Sequence, residues 1–317
     1  MSSIWENKIF RNLYPNVTFF SLSEGNTPVE EYDFDGINIY LKREDKNPTN
    51  SWKDRAVAFK LSLLANRQVK NVILPTSGNA GISYLKYSKI FYPTLKLVIV
   101  LSEHINPQKL QEIKQLTTNT HHEVVITNFT QKVIKDFVKQ GYLNLKFSID
   151  NEITKAYWTL GFELCKILNK NKDNTKIAIF CPVSSGTGLV GMMEGIHYLL
   201  DSEHNLPRLI AIQTSSNHPL LNNVFAKNLK EEKSLADAIY DPICLRRYQI
   251  QKILNQTNGE VLIVSNKDLL AAKNFIKDIL KINEQISYNS LLSVAGMLKM
   301  INYRKRFRDN ILILSGR

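Results

Sequence analysis

Cysteine is scarce in this 317-residue chain: Cys165, Cys181 and Cys244 stand far apart, with no C-x-x-C pair. That spacing excludes a disulfide framework and a cysteine metal site, and leaves free or buried thiols. His121-His122 has no partner cluster and is expected at the surface. Long apolar runs are missing too. Stretches such as Leu97–Leu101 are far too short to cross a bilayer, and MSSIWENKIF lacks the apolar core of a secretion signal. A soluble, cytoplasmic protein without a membrane partner is expected. No internal repeat, low-complexity tract or long linker breaks the chain. Acids are in deficit, 29 against 41 Lys and Arg, for a net charge of +12. The cations are dispersed, and the one dense run, Arg304, Lys305, Arg306 and Arg308, ends a predicted helix, where it complements the helix dipole. Nucleic acid is therefore not an expected partner.

What is present is a sizeable core: 44% of residues are hydrophobic, enough for one or two domains. Strand-like and helix-like stretches alternate. Strands are predicted at Ile37–Leu41, Val72–Leu74, Leu97–Leu101, Val124–Thr127, Ile177–Cys181, Leu209–Gln213, Val261–Val264 and Ile311–Leu314. Between them the pattern predicts helices, among them Thr154–Leu168, Leu189–Leu200, Lys267–Ile282 and Leu291–Tyr303. Such alternation predicts an α/β protein with open, largely parallel sheets covered by helices. Two lobes are expected, a smaller, mobile one over 38–149 and a larger one from 1–37 and 150–317. Ligands of such sheets bind at the carboxyl ends of strands. Three polar groups fall there: Thr76 to Asn79, Ser184 to Gly188, and Ser315.

The segment Leu41–Arg55, LKREDKNPTNSWKDR, is the organising stretch. Asn-Pro forces an extended or turning backbone, and Ser51 is a suitable N-cap for the run that follows. Lys53 then lies in a first helical turn, where the dipole disfavours an ammonium. A neutral, positioned amine is what attachment to a carbonyl cofactor requires. Alone, Lys53 reads first as one of many surface lysines.

Pro75-Thr76-Ser77-Gly78-Asn79 leaves a strand and opens a helix, so its free N–H groups suit an anion such as a substrate carboxylate. Taken alone it is also an ordinary turn with an Asn cap. Ser184-Ser185-Gly186-Thr187-Gly188 is a second anion loop, fit for a phosphate, and it lacks the Gly-Lys-Ser/Thr of a nucleotide P-loop. Gly186, Gly188 and Gly191 do satisfy G-x-G-x-x-G, which keeps a dehydrogenase in view. A dinucleotide site wants an acid about 20 residues on, at the end of the next strand. Gln213-Thr214 stands there instead, so a monophosphate fits better.

NPTNSWKDRA resembles the Schiff-base segment of fold-type-II pyridoxal-phosphate enzymes, Asn-Pro-Thr-Gly-Ser-Phe-Lys-Asp-Arg, with Asn50 for Gly and Trp52 for Phe. Glu24-Gly25-Asn26-Thr27-Pro28, Thr159-Leu160-Gly161-Phe162-Glu163, Ser234-Leu235-Ala236-Asp237-Ala238-Ile239 and Ser293-Val294-Ala295-Gly296 resemble segments of the threonine synthases within that family. The resemblance implies pyridoxal 5'-phosphate as cofactor and Lys53 as its attachment point and catalytic residue. It implies Asn79 beside the cofactor's phenolic oxygen, Ser184, Ser185, Gly186, Thr187 and Gly188 on its phosphate, and Ser315 at its pyridine nitrogen. Thr76, Ser77 and Ala80 would hold the substrate carboxylate, with Ser148 on the substrate side. It further implies a lyase of the threonine-synthase kind, converting O-phosphohomoserine to threonine and phosphate; the sequence leaves open whether the chain forms a homodimer. Three departures stand out. Ser184 replaces a Gly, the chain ends soon after Ser315, and Phe147 and Ile153 occupy the places of an Asn and an Arg that grip the substrate phosphate. Lys155 could substitute as a point charge. Elimination or replacement at the β-carbon of an unphosphorylated amino acid, as in threonine dehydratases or cysteine synthases, stays open. So does a cofactor-binding carrier or regulator without turnover.

Overall fold

Strands buried on both faces read as continuous runs of Ile, Leu and Val, and such runs line the sheets of the computed structural model, which describes residues 3–200, 205–221, 233–303 and 307–317. In chain order the strands are β1 (Val29–Phe34), β2 (Ile37–Lys42), β3 (Asn71–Pro75), β4 (Lys96–Leu101), β5 (Glu123–Ile126), β6 (Leu143–Asn144), β7 (Ile177–Pro182), β8 (Arg208–Thr214), β9 (Glu260–Val264) and β10 (Asp309–Ile313). The helices are α1 (Lys8–Leu13), α2 (Lys53–Asn66), α3 (Asn79–Phe91), α4 (Pro107–Thr117), α5 (Thr130–Lys139), α6 (Trp158–Leu168), α7 (Thr187–Leu200), α8 (Arg247–Gln256), α9 (Asn266–Asn274) and α10 (Tyr288–Asn302). Among the described residues no helix is long and apolar enough to cross a membrane.

The chain divides into two compact units, Met1–Gly25 with Asn47–Ala156, and Asn26–Lys46 with Tyr157–Arg317. The first holds a four-stranded parallel sheet in the order β5-β4-β3-β6. The second holds six strands, β1-β2-β10-β7-β8-β9. Only the β1–β2 hairpin is antiparallel there; every other pair is parallel. The chain's last strand thus lies inside the sheet, with Ile311 opposite both Tyr40 and Ile179. Ile39, Phe180, Ile210, Ile212 and Leu312 are wholly buried against Leu292, Val294 and Met297 of α10. Each such side chain contributes on the order of 2 kcal/mol, so this central face fixes the register.

Helices α6 and α7 meet backbone to backbone. A side chain at Gly195 would come within 2.6 Å of the Trp158 carbonyl oxygen, and one at Gly161 would strike the carbonyl of Met192. Only glycine permits this approach.

Several elements differ from expectation. Strand β1 is new: Glu30, Glu31 and Asp33 mask an edge strand whose Tyr32 and Phe34 pack on the core, and Asp35-Gly36, both at positive φ, turn the hairpin. Residues Ile153–Tyr157 form a tighter 3₁₀ stretch before α6, and a π-helical turn, Phe275–Ile279, follows α9 where one continuous helix is expected. Helices α1 and α8 and the two-residue β6 are also additions. All three cysteines are buried and unpaired. Burial pushes the thiols of Cys165 and Cys244 up to about 12, which leaves them inert. His121 is exposed and His122 half-buried; the latter accepts the Leu97 N–H at 3.3 Å, and burial holds its pKa down to about 4. Arg304, Lys305 and Arg306 of the basic run lie outside the described residues.

Candidate active site

The first unit carries the lysine. Asn47-Pro48-Thr49-Asn50 brings the chain to α2, and Asn50 adopts φ +60°. Asn tolerates this left-handed region better than most residues, so it keeps the turn that glycine makes in the resembling segment. Helix α2 starts at Lys53, one residue later than expected, with Trp52 rather than Ser51 at the boundary. Ser51 still serves the helix start, because its Oγ accepts the Lys53 N–H at 3.3 Å. Asp54 fastens the loop. Its carboxylate accepts the Thr49 N–H at 2.6 Å, the Thr49 hydroxyl at 2.5 Å and the Ser83 hydroxyl of α3 at 2.6 Å. Burial lifts the Asp54 pKa to about 6 against the pull of those donors.

Lys53 Nζ faces two aromatic rings, 5.6 Å from the Trp52 centroid and 5.3 Å from that of Phe147. Among the described residues no carboxylate pairs with it. Burial alone lowers its pKa from 10.5 to about 8. Desolvation, more than the helix dipole, thus favours the neutral amine.

The loop Thr76–Asn79 follows β3, as expected. Gly78, at φ +120°, takes the cap position, and Asn79 is the first helical residue rather than the cap. Its side chain is released from capping: Asn79 Oδ1 is buried with no hydrogen-bond partner among the described residues, and so is Ser148 Oγ. Thr76 Oγ1 accepts the Gly78 N–H at 3.0 Å. Ser77 is exposed and Ala80 buried. Lys109 of α4, which sequence reasoning passed over, lays its aliphatic stem on Gly78. Of the two phosphate-gripping positions, Phe147 is buried beside the lysine, and Ile153 is buried and apolar. Lys155 Nζ lies over the Tyr14 ring, 5.6 Å from its centroid.

The second unit carries the other groups. Ser184–Gly188 runs from the end of β7 into α7. Gly186 has φ +82°, and a Cβ there would come within 2.5 Å of Ile250 Cδ1. Ser184 needs no left-handed backbone, so its replacement of a glycine leaves the turn intact. Ser185 Oγ and Thr187 Oγ1 are 3.1 Å apart. Arg246, a second residue without a sequence signal, donates from Nε to Thr187 Oγ1 at 3.2 Å. Ser315 is buried just past β10, and β10 is paired with β7, so Ser315 and the loop leave the same end of neighbouring strands. The Gly316 carbonyl oxygen accepts the hydroxyls of Ser287, at 2.6 Å, and Ser290, at 3.2 Å, which pins this tail to the start of α10. The dinucleotide alternative finds no acid at the end of β8. Gln213 is buried, and its Oε1 accepts the Leu220 N–H at 2.9 Å.

In the first unit an unpartnered buried acceptor and a desolvated amine suit a polar ring and an aldehyde, and in the second a glycine cradle that a Cβ would fill suits a phosphate. The profile of the pyridoxal-phosphate dependent enzymes matches residues 20–309, and the chain belongs to that family. Its cofactor is pyridoxal 5'-phosphate. Over 289 residues the chain is 24% identical to the mitochondrial threonine dehydratase of Schizosaccharomyces pombe, covering 89% of this chain but only 46% of that protein. It is 22% identical over 312 residues to the threonine synthase of Halalkalibacterium halodurans, covering 93% of this chain and 82% of the relative. The crystal structure of a pyridoxal 5'-phosphate-dependent aspartate racemase has the same fold, with a TM-score of 0.73 at 20% identity over 96% of this chain and 93% of that one.

Proposed function

We propose that this chain is a lyase or synthase acting on a small amino acid, with Lys53 as the residue that holds pyridoxal 5'-phosphate and moves protons. The observation that carries this reading is the Lys53 amine: desolvated, with no carboxylate partner among the described residues, and with its pKa lowered by burial to about 8. An amine poised close to neutrality can take a proton from the substrate α-carbon and return it elsewhere. When bound, the cofactor supplies the electron sink for the charge left on that carbon. The remaining roles are assigned residue by residue. Asn79 meets the cofactor ring, which gives its buried amide a partner. Ser184, Ser185, Gly186, Thr187 and Gly188 seat the phosphate through hydroxyls and backbone N–H groups at the start of α7. Ser315 faces the pyridine nitrogen with a hydroxyl, which does not hold a proton there as a carboxylate would, and so favours eliminations over long-lived carbanions. Thr76, Ser77 and Ala80 offer the substrate carboxylate their N–H groups, and Ser148 offers its unpartnered hydroxyl to the substrate.

Two readings of the substrate follow. The Glu24–Pro28 motif and the similarity to a threonine synthase support O-phosphohomoserine. The side chains at the positions expected to grip a substrate phosphate favour an unphosphorylated amino acid. Phe147 is an apolar ring where a phosphate clamp needs a donor, Ile153 offers no charge, and Lys155 is engaged with Tyr14. A dianionic phosphate without an Arg partner forgoes its strongest hydrogen bonds. We infer elimination or replacement at the β-carbon of an unphosphorylated amino acid. The test is to supply threonine, O-acetylserine and O-phosphohomoserine in parallel and assay ammonia with 2-oxo acid, acetate, and phosphate. Ammonia from threonine or acetate from O-acetylserine is expected. Phosphate release would restore the threonine-synthase reading, and no product from any substrate would leave a carrier or regulator.

A further inference from the structure

The loop Ser184–Gly188 is backed by a buried cation. Arg246 precedes α8 and is only 3% exposed. Its Nε donates to Thr187 Oγ1 at 3.2 Å, and its Nη1 donates to Gln249 Oε1 at 3.1 Å. Its Cβ lies 3.4 Å from where a side chain at Gly186 would begin, so it packs directly against the loop. A guanidinium can only donate, and it stays charged at every working pH. The Thr187 oxygen therefore accepts from Arg246, and its own proton turns away from the guanidinium; Ser185 Oγ lies 3.1 Å from it. A helix start, whose first N–H groups find no partner within the helix itself, hydroxyls on the loop and a buried guanidinium behind them suit a ligand that only accepts hydrogen bonds. A fully ionised phosphate ester is such a ligand.

We propose that Arg246 is a positioning residue of the phosphate seat: it orients the Thr187 hydroxyl as a donor and makes the loop select the cofactor's phosphate as a dianion. The inference rests on the cofactor assignment above and adds a residue outside the loop. The comparison of pyridoxal 5'-phosphate with pyridoxal tests it, because both carry the aldehyde that reacts with Lys53 and only one carries phosphate. Cofactor-free wild type, Arg246→Met, Arg246→Lys, Thr187→Val and the Arg246→Met/Thr187→Val double variant would be titrated with each compound. The ³¹P resonance of the bound phosphate would be followed across pH, and circular dichroism would verify folding. Loss of a charge-assisted hydrogen bond should lower phosphate-dependent affinity by about 10- to 100-fold in Arg246→Met, while pyridoxal affinity moves by less than about threefold. Its ³¹P titration should shift to higher pH, Arg246→Lys should keep most of the dianion signal, and the double variant should lose little beyond Thr187→Val. An unchanged preference for the phosphorylated compound with an unchanged ³¹P titration would overturn the proposal. A parallel loss of affinity for both compounds would also overturn it, as the mark of a merely structural role. Failure of wild type to bind either compound at Lys53 would instead overturn the cofactor assignment, and this inference with it.

Discussion

Replacing Lys53 with methionine should stabilise the cofactor-free protein. Methionine keeps the length and apolar volume of the lysine stem and removes only the charge. In the folded chain, burial lowers the lysine pKa from 10.5 to about 8. At about 1.4 kcal/mol for each unit, the ceiling on the penalty is about 3 kcal/mol at neutral pH. Lys53 is only half-buried, and the Trp52 and Phe147 rings return part of this through cation–π attraction, so the expected gain is about 1–2 kcal/mol. The sign with pH follows from linkage. Between about 8 and 10.5 the unfolded chain binds a proton that the folded chain does not, so wild-type stability rises with pH across that window. The advantage of Lys53→Met should therefore be largest below about pH 8 and fall by more than half by about pH 9.5. Urea unfolding of both cofactor-free proteins at the two pH values measures it. A variant less stable than wild type at neutral pH, or an advantage that does not change with pH, would refute a desolvated amine at this position.

Three further outcomes are expected. Asn79→Ala removes an acceptor that has no protein partner, so cofactor-free stability should change by less than about 1 kcal/mol while turnover slows; unchanged kinetics would argue against ring contact. Asp54→Ala strands the Thr49 and Ser83 donors and should cost about 2–4 kcal/mol in urea unfolding. Because the folded Asp54 holds its proton up to about 6 and the unfolded one only to 3.8, wild-type stability should fall as pH rises through that window, and Asp54→Asn should remove this part of the slope. Gly195→Ala drives a methyl to 2.6 Å from the Trp158 carbonyl and should lower stability by more than about 2 kcal/mol, read as a drop in Tm; an unshifted Tm would mean that α6 and α7 separate at little cost.

The parts of the fold legible in the sequence were those written in local chemistry. The β-branched and leucine runs of β4, β7, β8 and β10 declare buried parallel strands, and the Asn-Pro turn with Ser51 marks the entry to α2 within one residue. The elements passed over lack that local writing. Strand β1 hides two inward aromatics among three acids, and α8 buries only Ile250 and Leu254, too sparse a stripe to stand out. The break after α9 shows no proline or glycine at Phe275–Ile279. In the candidate site the same division holds. Lys53 and the two loops sit at strand or helix ends whose chemistry is visible from neighbouring residues. Arg246 is 59 residues from the threonine it contacts, and Phe147, though visible as a departure from the resembling segments, is 94 positions from Lys53, so only tertiary packing reveals these two contacts. The Asn79 amide is the instructive case: its residue type suggested a cap, and only the helix boundary shows that the cap is Gly78 and the amide has no internal duty.

The glycine crossing of α6 and α7 bears on how the proposed phosphate loop is held. Two backbones in direct touch behave like a keyed shaft, leaving α7 no freedom to slide or to turn about its own axis. The five residues at its tip are held at a set depth and bearing before any anion arrives, so capture spends little ordering entropy. Side-chain changes at the tip can then retune which groups it presents, but they cannot relocate the tip without prying the two rods apart.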